Sequence, residues 1–337
     1  MAGNNLKILV VGGAGYIGSH MVKRLHELGC QVVILDDLSN GYRDAVVAGE
    51  FVEGSIADTA LLTDLFTAHA FDAVMHFASF IQVGESVIEP MKYYVNNLVG
   101  TLNLLNSMKN AGVTRFVFSS TAAIFGEPDY VPIDEVHPKN PVNPYGKTKL
   151  MVESALADFD TAYGLKSICL RYFNAAGADP EGRLGERHNP ETHLIPLVLQ
   201  VASGRRSQIS VFGRDYDTPD GTCIRYYIHI NDLCEAHWLA LQVLLKGGGA
   251  QAYNLGNGKG FSVQDVIETA KKVTGKPISV TYAEKRNGDP ARLVADSSLA
   301  RSKLGWLPKY ASLESIIEHA WQWEQHICDG VEQAHKN

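Results

Sequence analysis

The N-terminal part of the chain combines short apolar runs with one segment of helical periodicity. Residues 8–11 are uniformly apolar, which is typical of a strand buried on both faces of a parallel sheet. Apolar side chains then recur at helical spacing over residues 17–28, and a second apolar run covers residues 31–35. The pattern predicts a strand, a helix and a second strand in direct succession.

The same alternation continues to about residue 174. Further strands are predicted at residues 51–53, 73–77, 115–120 and 167–173, and further helices at residues 58–69, 91–111 and 145–163. Strands that alternate with helices form parallel sheets that carry helices on both faces. The sequence therefore predicts an α/β fold with a doubly wound parallel sheet.

The pattern changes after Asn174. Residues 175–192 are rich in Gly, Pro, Arg and Glu and are interpreted as a functional loop. Beyond it, helices are predicted at residues 193–203, 231–245, 262–274 and 313–327, and short strands at residues 209–212, 225–230 and 253–255. We expect residues 1–174 to form the first domain and residues 175–337 a smaller mixed α/β lobe, with some segments returning to the first domain.

Three glycines separate the first predicted strand from the first helix. Gly12 allows a tight turn, Gly15 lets the backbone approach a pyrophosphate, and Gly18 lets the helix pack closely on the strand. Asp36 ends the second strand, where an acid can accept hydrogen bonds from adenosine ribose hydroxyls and repel a 2′-phosphate. The first domain is therefore predicted to be a Rossmann domain that binds NAD rather than NADP.

Composition excludes several classes of partner. Of the 337 residues, 45% are hydrophobic and 20% charged, which is typical of a soluble globular protein, and the net charge of −7 argues against nucleic acid. No run approaches ~18 apolar residues, so no membrane span is expected. Five scattered cysteines indicate a reduced, cytoplasmic protein. No metal site is predicted, because the histidines at positions 229, 237 and 319 lack metal-ligand spacing.

Tyr145 and Lys149 are four residues apart on a predicted helix, so both side chains lie on one helix face. Thr121 follows a predicted strand at the same edge of the sheet. A free tyrosine has a pKa near ~10, and a nearby ammonium together with the positive nicotinamide of NAD⁺ favours the phenolate. Tyr145 is therefore a candidate general base for a substrate alcohol, with Lys149 as its activator and Thr121 as a hydrogen-bonding partner.

Several motifs occur in the same order as in a known family. The chain resembles the extended short-chain dehydrogenase/reductases and, more closely, the UDP-glucose 4-epimerases, from about residue 7 to residue 323. The resemblance rests on Gly12-Gly13-Ala14-Gly15-Tyr16-Ile17-Gly18, Val83-Gly84-Glu85-Ser86, Ser119-Ser120-Thr121, Asn143-Pro144-Tyr145-Gly146-Lys147, Arg171-Tyr172-Phe173-Asn174, Asp220-Gly221-Thr222 and Tyr253-Asn254-Leu255-Gly256.

This resemblance implies a reaction and a set of contacts. NAD oxidises C4 of a UDP-sugar, the keto-sugar turns over, and hydride returns to the other face, so that UDP-glucose and UDP-galactose interconvert. It also implies a homodimer, through the helices at residues 91–111 and 145–163. Besides the glycines and the catalytic residues Thr121, Tyr145 and Lys149, the implied cofactor contacts are Tyr16, Ile17, Asp36, Asp37, Asn40, Ile56, Phe77, Ala78, Ser79, Asn97 and Phe173. The implied UDP-sugar contacts, in residues 175–337 and at Asn174, are Asn174, His193, Leu194, Phe212, Arg225, Arg286, Asp289 and Leu293.

Three positions depart from the usual family pattern. Ser55 stands where an aspartate near adenine is usual, Ile81 replaces a lysine near the cofactor phosphates, and Tyr226 interrupts the R-D-Y-I-H string. Leu293 is intermediate between the bulky aromatic associated with plain hexoses and the small residue associated with N-acetylated sugars.

Alternative functions therefore stay open at this point. Another UDP-sugar, such as UDP-N-acetylglucosamine or UDP-glucuronate, is one alternative substrate. A non-catalytic dinucleotide sensor is an alternative from another class. A 4,6-dehydratase is disfavoured because Ala122 and Ala123 follow Thr121, where dehydratases need an acidic pair.

Overall fold

The structure, a computed structural model, describes residues 5–256, 258, 260–286 and 290–334. Its centre is a seven-stranded sheet in which every paired strand is parallel to its neighbour. Six strands come from the first half of the chain: β1 Lys7–Val11, β2 Gln31–Asp36, β3 Glu50–Glu53, β4 Ala73–His76, β5 Arg115–Ser119 and β6 Lys166–Arg171. Their order across the sheet is β6-β5-β4-β1-β2-β3, which is that of a Rossmann fold, so the predicted fold class is confirmed.

Helices cover both faces of this sheet. In the first half they are α1 Tyr16–Glu27, α2 Thr59–Ala68, α3 Val83–Ile88, α4 Pro90–Tyr93, α5 Thr101–Asn110 and α6 Pro144–Tyr163. Within β1, Ile8 and Val10 belong to one hydrophobic cluster whereas Leu9 and Val11 belong to the other. Successive strand residues point to opposite faces, so a continuous apolar run supplies two cores at once.

The long helix predicted at residues 91–111 is present but not uniform. Helix α4 leads into a π-helical segment, Tyr94–Gly100, which leads in turn into α5. Such widened turns occur mostly as local features, frequently at functional sites. Here the segment carries Asn97, whose side chain is fully buried. Apolar periodicity does not distinguish this geometry from an ordinary α-helix.

The second half contributes elements to both parts of the molecule. Its strands are β7 Asn174–Ala176, β8 Ile209–Phe212, β9 Ile224–Arg225, β10 Tyr227–His229, β11 Gln251–Asn254, β12 Phe261–Ser262, β13 Val280–Ala283 and β14 Arg292–Leu293. Its helices are α7 Leu194–Ala202, α8 Ile230–Leu245, α9 Val263–Thr274 and α10 Leu313–Ala334. Strand β11 pairs with β6 at the edge of the main sheet, and the apolar face of α8 joins the core cluster of β1 and α1.

The remaining elements form a separate packing unit. Strand pairs β7–β10 and β8–β13 and the group β12–β9–β14 form three small sheets. Side chains from α7, α9 and α10 enclose a third hydrophobic cluster with Ile209, Val211 and Tyr227. The domain boundary at residue 174 stays a prediction, and the strands at residues 174–176, 280–283 and 292–293 were not expected from the sequence.

Two further observations concern all of the described residues. No helix in the described ranges is long and apolar enough to cross a membrane. The five cysteines, all of which lie in the described ranges, form no disulfide, and four of them are buried.

Candidate active site

A cleft opens at the carboxyl ends of β1, β2 and β4, where parallel α/β sheets bind their ligands. It encloses about 540 Å³, measured out to its open mouth. Many of the predicted cofactor residues line it, namely Gly12, Gly15, Asp36, Asp37, Asn40, Ile56, Phe77, Ala78 and Ser79. Ser39, Gly41, Gly54, Ser55, Phe80 and Asn96 line it as well and were not predicted as cofactor contacts. Topology therefore brings residues from five separate segments to one place.

The glycine turn has the geometry that close approach requires. Gly12 has φ +81°, and a Cβ there would lie 2.4 Å from the backbone nitrogen of Ala78. A Cβ on Gly18 would lie only 2.0 Å from the carbonyl oxygen of Gly12, so neither position accepts a side chain. A Cβ on Gly15, in contrast, would meet only that same oxygen, at 3.5 Å. The protein itself therefore leaves room for a Cβ at Gly15. We expect the need for a glycine at this position to come from the ligand that enters the cleft.

The N-terminus of α1 is suited to an anion. Gly15 is its N-cap, and neither a side-chain cap nor an acidic residue of the described first turn satisfies the free N–H groups. Those groups and the helix dipole attract phosphate. The residues present therefore fit the diphosphate of a dinucleotide. Tyr16 and Ile17 follow at once, with the Tyr16 hydroxyl donating to the carbonyl of Gly177 at 2.7 Å.

Asp36 links the turn to the next loop. One carboxylate oxygen accepts from the backbone N–H of Ala14 and the other from that of Leu38, both at 2.9 Å. Burial raises the pKa of this carboxyl, opposed by these two hydrogen bonds. Each carboxylate oxygen has a second lone pair, so the group can hold the turn and still accept from a ribose hydroxyl.

The helix that carries Tyr145 begins at a well-defined cap. The side chain of Asn143 accepts from the backbone N–H of Gly146 at 2.8 Å, and Pro144 occupies the first turn, where its fixed φ favours the helix. Tyr145 then lies in the first turn and Lys149 in the second, both buried, beside Thr121 at the end of β5. The sequence prediction that these three residues share one edge of the sheet agrees with their positions.

Lys149 is held by two acceptors. Its Nζ donates to the Ser79 hydroxyl and to the carbonyl of Ser119, each at 2.8 Å, and it lies 6.0 Å from the centroid of the Tyr145 ring. Burial, which leaves only 3% of the side chain exposed, lowers the pKa of Lys149 to about 7. Ser79 therefore contacts Lys149 and also lines the cleft.

The pKa of Tyr145 differs from the expectation. Burial raises it, and a hydrogen bond with the side chain of Thr121 opposes that rise. The Lys149 ammonium is directed to Ser79 and Ser119. The protein's own groups therefore do not supply the predicted lowering, and the physical reason is that desolvation outweighs a cation 6.0 Å from the ring.

A buried polar network supports this arrangement from behind. The Ser120 hydroxyl donates to Glu153 at 2.7 Å, and Glu153 pairs with Arg171 through bonds of 3.0 and 2.5 Å. Both charged side chains are almost fully buried. Sequence analysis did not single out Glu153, although its position one helical turn after Lys149 on the same helix is the available signal.

Asn97 positions the cleft wall. Its side-chain oxygen accepts from the backbone N–H of Phe80 at 2.9 Å, and its amide donates to the Phe80 carbonyl at 3.0 Å. Asn97 is 1% exposed. We therefore expect it to act on the cofactor indirectly, by holding the backbone of the 77–80 loop. Phe173 packs against a cluster that contains Ala122 and Ile124. These two residues lie in the turn at residues 121–125, named the catalytic turn here for the proposed role of Thr121.

The predicted UDP-sugar residues lie on separate elements of the second half. The Arg286 guanidinium stacks on the ring of Phe212 at 3.9 Å, and Leu293 is in register with Arg225 in the β14–β9 pair. Leu293 also packs against the cluster that Phe173 contacts, next to the catalytic turn. Asn174 donates to the carbonyl of the buried Tyr226 at 2.8 Å, and His193 and Leu194 begin α7. Asp289 lies outside the described residues.

Comparison with known proteins identifies the class to which this geometry belongs. The chain belongs to the NAD dependent epimerase/dehydratase family, whose model matches residues 8–256. The predicted family and the use of NAD are thereby confirmed.

Three similar proteins are 4-epimerases of UDP-glucose, and one of them is a 4-epimerase of UDP-GlcNAc as well. A UDP-glucose 4-epimerase of Halalkalibacterium halodurans is 53% identical over 332 residues, which are 98% of this chain and 99% of that protein. The crystal structure of UDP-glucose 4-epimerase from Brucella ovis in complex with NAD is 48% identical, with a TM-score of 0.92 over 94% of this chain and 97% of its own. The UDP-Glc/GlcNAc 4-epimerase from Campylobacter jejuni is 44% identical, with a TM-score of 0.84 over 95% and 99%.

Proposed function

We propose that this chain interconverts UDP-glucose and UDP-galactose by reversible, NAD-dependent oxidation at C4 of the sugar. The observation that carries the proposal is the meeting of Thr121, Tyr145 and Lys149 at the edge of the sheet beside the dinucleotide cleft. The names of relatives at about half identity over nearly the whole chain support the same activity.

The roles of the three side chains follow from their positions. NAD, when bound, supplies the group that accepts a hydride and later returns it. Tyr145 takes the proton of the C4 hydroxyl while the hydride leaves C4, so the alcohol becomes a ketone. Thr121 hydrogen-bonds at the same oxygen, and the Lys149 ammonium stabilises negative charge nearby. Reversal on the other sugar face returns proton and hydride, with no net redox change.

Arginines of the second half are assigned to the diphosphate of the substrate. Arg225 and Arg286 carry planar guanidinium forks, which match phosphate oxygens in pairs. Stacking on Phe212 fixes one face of Arg286 and leaves its donors free to face a ligand. The remaining proposed UDP-sugar contacts are Asn174, His193, Leu194, Phe212, Asp289 and Leu293.

The test is Tyr145→Phe, which removes only the phenol oxygen. Turnover of UDP-galactose should fall roughly 10²- to 10⁴-fold, the usual contribution of a general base, while the nucleotide released on denaturation still amounts to one NAD per chain. Tyr163→Phe, at the exposed far end of the same helix, is the matched control and should keep full activity. Unchanged turnover in Tyr145→Phe would refute the role proposed for Tyr145, and no turnover in the parent protein would favour the dinucleotide-sensor alternative.

We further propose that the protein is a cytoplasmic homodimer. Helices α3 to α6 expose neighbouring apolar side chains, namely Val83, Val87, Ile88, Met91, Val95, Val99 and Met151. A second copy would cover such a surface. Light scattering should give twice the chain mass for the parent and for Val136→Glu, an exposed control elsewhere, and one chain mass for Ile88→Glu/Met91→Glu. A monomeric parent would contradict the dimer.

A further inference from the structure

The loop before α7 brings four metal-ligand side chains together within eight residues. Glu186, His188, Glu191 and His193 each direct one ligand atom to a common point, and all four atoms lie within 4.8 Å of one another. The prediction of no metal site rested on other histidines and did not include this E-x-H-x-x-E-x-H spacing. Of these four residues, only His193 is assigned a contact with the UDP-sugar in the proposed function.

The distances within this cluster match a tetrahedral site. Nδ1 of His188 lies 3.3 Å from Glu186 and 3.4 Å from Glu191, and Nδ1 of His193 lies 3.4 Å from Glu191 and 2.7 Å from Glu186. Zinc bonds to nitrogen and oxygen are ~2.0–2.2 Å long, which places the corners of a tetrahedron ~3.3–3.5 Å apart. The two separations to Glu191 end on different oxygens, Oε2 for His188 and Oε1 for His193. With either oxygen as the ligand, two of the three remaining separations have this spacing, and the 2.7 Å between His193 and Glu186 is shorter.

Three of the four ligand atoms are buried, and the nearest polar groups to them belong to the cluster itself. Glu186 is 8% exposed, and its Oε1 and the two histidine Nδ1 atoms are inaccessible and have no well-directed hydrogen-bond partner in the described part of the chain. Burying two carboxylates so close together is costly unless a cation compensates them. A divalent cation between the four atoms would satisfy every one of them.

Hydrogen bonds from neighbouring groups orient this loop, as they commonly do for the ligands of a protein-bound metal ion. The backbone N–H groups of Thr192 and His193 donate to Glu191 at 2.7 and 2.8 Å, orienting its carboxylate. The indole of Trp323 on α10 donates to the carbonyl of Glu186 at 3.0 Å. Such contacts orient ligands and strengthen metal binding. The loop thus connects α10 with the start of α7.

We propose that Glu186, His188, Glu191 and His193 bind one divalent transition-metal ion, with Zn²⁺ as the best match for a two-nitrogen, two-oxygen set. Four protein ligands close the coordination sphere, so the ion is structural rather than catalytic. It would fix the backbone that leads to Leu194, and thereby the segment assigned to UDP-sugar binding under the proposed function. The inference about the metal itself does not depend on that function.

The test measures metal directly on untagged, NAD-loaded protein. After chelation and dialysis, titration with ZnCl₂ should saturate at one equivalent, and Co²⁺ should give the intense visible absorption of tetrahedral coordination. His188→Gln/Glu191→Gln should weaken Zn²⁺ binding at least ~100-fold and abolish the thermal stabilisation that Zn²⁺ gives the parent. His69→Gln, which removes the histidine of the His69–Glu50 pair on the other side of the molecule, is the matched control and should bind as the parent does.

Two outcomes would overturn the proposal. Less than about a tenth of an equivalent of Zn²⁺ bound by the parent would mean that the cluster is an ion-pair network with protonated histidines. Equal affinity in the parent and in the double variant would place the metal elsewhere. Neither result bears on the turnover of UDP-galactose, which tests the proposed function separately. The two proposals can therefore fail independently.

Discussion

The cofactor cleft and the second half of the chain are built in different ways. In the cleft, groups from β1, β2, β4 and the following loops converge at one sheet edge, and each is fixed by backbone contacts, as Asp36 is by Ala14 and Leu38. The proposed sugar contacts instead lie on short strands and helix ends, in pairs such as Arg286 with Phe212. The first site is a consequence of sheet topology, whereas the second depends on how loops pack.

This difference predicts where substitutions are tolerated. A change in the cleft that displaces backbone should affect both folding and cofactor binding, since the same contacts serve both. A change among the sugar contacts should alter preference between substrates while the fold persists. The three predictions below test that contrast, beginning with the largest effect.

Gly18→Ala should be the most damaging. The new Cβ would lie 2.0 Å from the carbonyl oxygen of Gly12, so the turn and α1 must separate. We expect a loss of about 3 kcal/mol in the free energy of unfolding and no retained NAD, because overpacking against backbone cannot be relieved by a rotamer change. Chemical denaturation and nucleotide release measure the two effects. Gly84→Ala, with nothing within 4 Å of its Cβ, is the control, and equal stability of both variants would contradict the prediction.

Lys149 should make stability depend on pH. Its pKa is about 7 in the folded protein against the ordinary lysine value of 10.5, so between these two pH values the unfolded chain binds more protons than the folded one. The free energy of unfolding of the cofactor-free protein should therefore rise with pH in this window relative to Lys149→Met, by at most ~1.4 kcal/mol per pH unit. Below about pH 6 the difference should be constant. A difference that falls as pH rises from 7 to 10 would mean that Lys149 is stabilised as a cation.

Much of the cleft could be predicted because sequence and topology determine it together. Apolar runs predicted the six strands of the first half. The carboxyl ends of parallel strands necessarily meet at one edge of the sheet. The glycine spacing then predicted a turn in which Gly12 and Gly18 accept no side chain. These are local or periodic signals, which a single sequence carries in full.

Other features depend on contacts between distant residues and left no such signal. The strand near Tyr253 was expected, but its pairing with β6 in the main sheet is decided by packing rather than pattern. The pKa of Tyr145 depends on burial and on where the Lys149 ammonium points. Glu153 acquires its role through Ser120 and Arg171, which are 33 and 18 residues away along the chain. The roles of the individual site residues stay predictions.

Leu293→Tyr tests the sugar site and should have the smallest effect. Leu293 packs against the same cluster as Phe173, which includes the catalytic turn, so we expect a larger side chain there to narrow the space beside the sugar. We expect turnover of UDP-N-acetylglucosamine to fall about 10-fold and that of UDP-galactose to change less than about 3-fold, since a steric difference of this size is worth ~1–3 kcal/mol. Leu307→Tyr makes the same substitution at an exposed position and should alter neither rate. If Leu293→Tyr changed both rates equally, the side chain would affect the catalytic turn as a whole, and the contrast between a rigid cleft and an adaptable sugar site would not hold at this position.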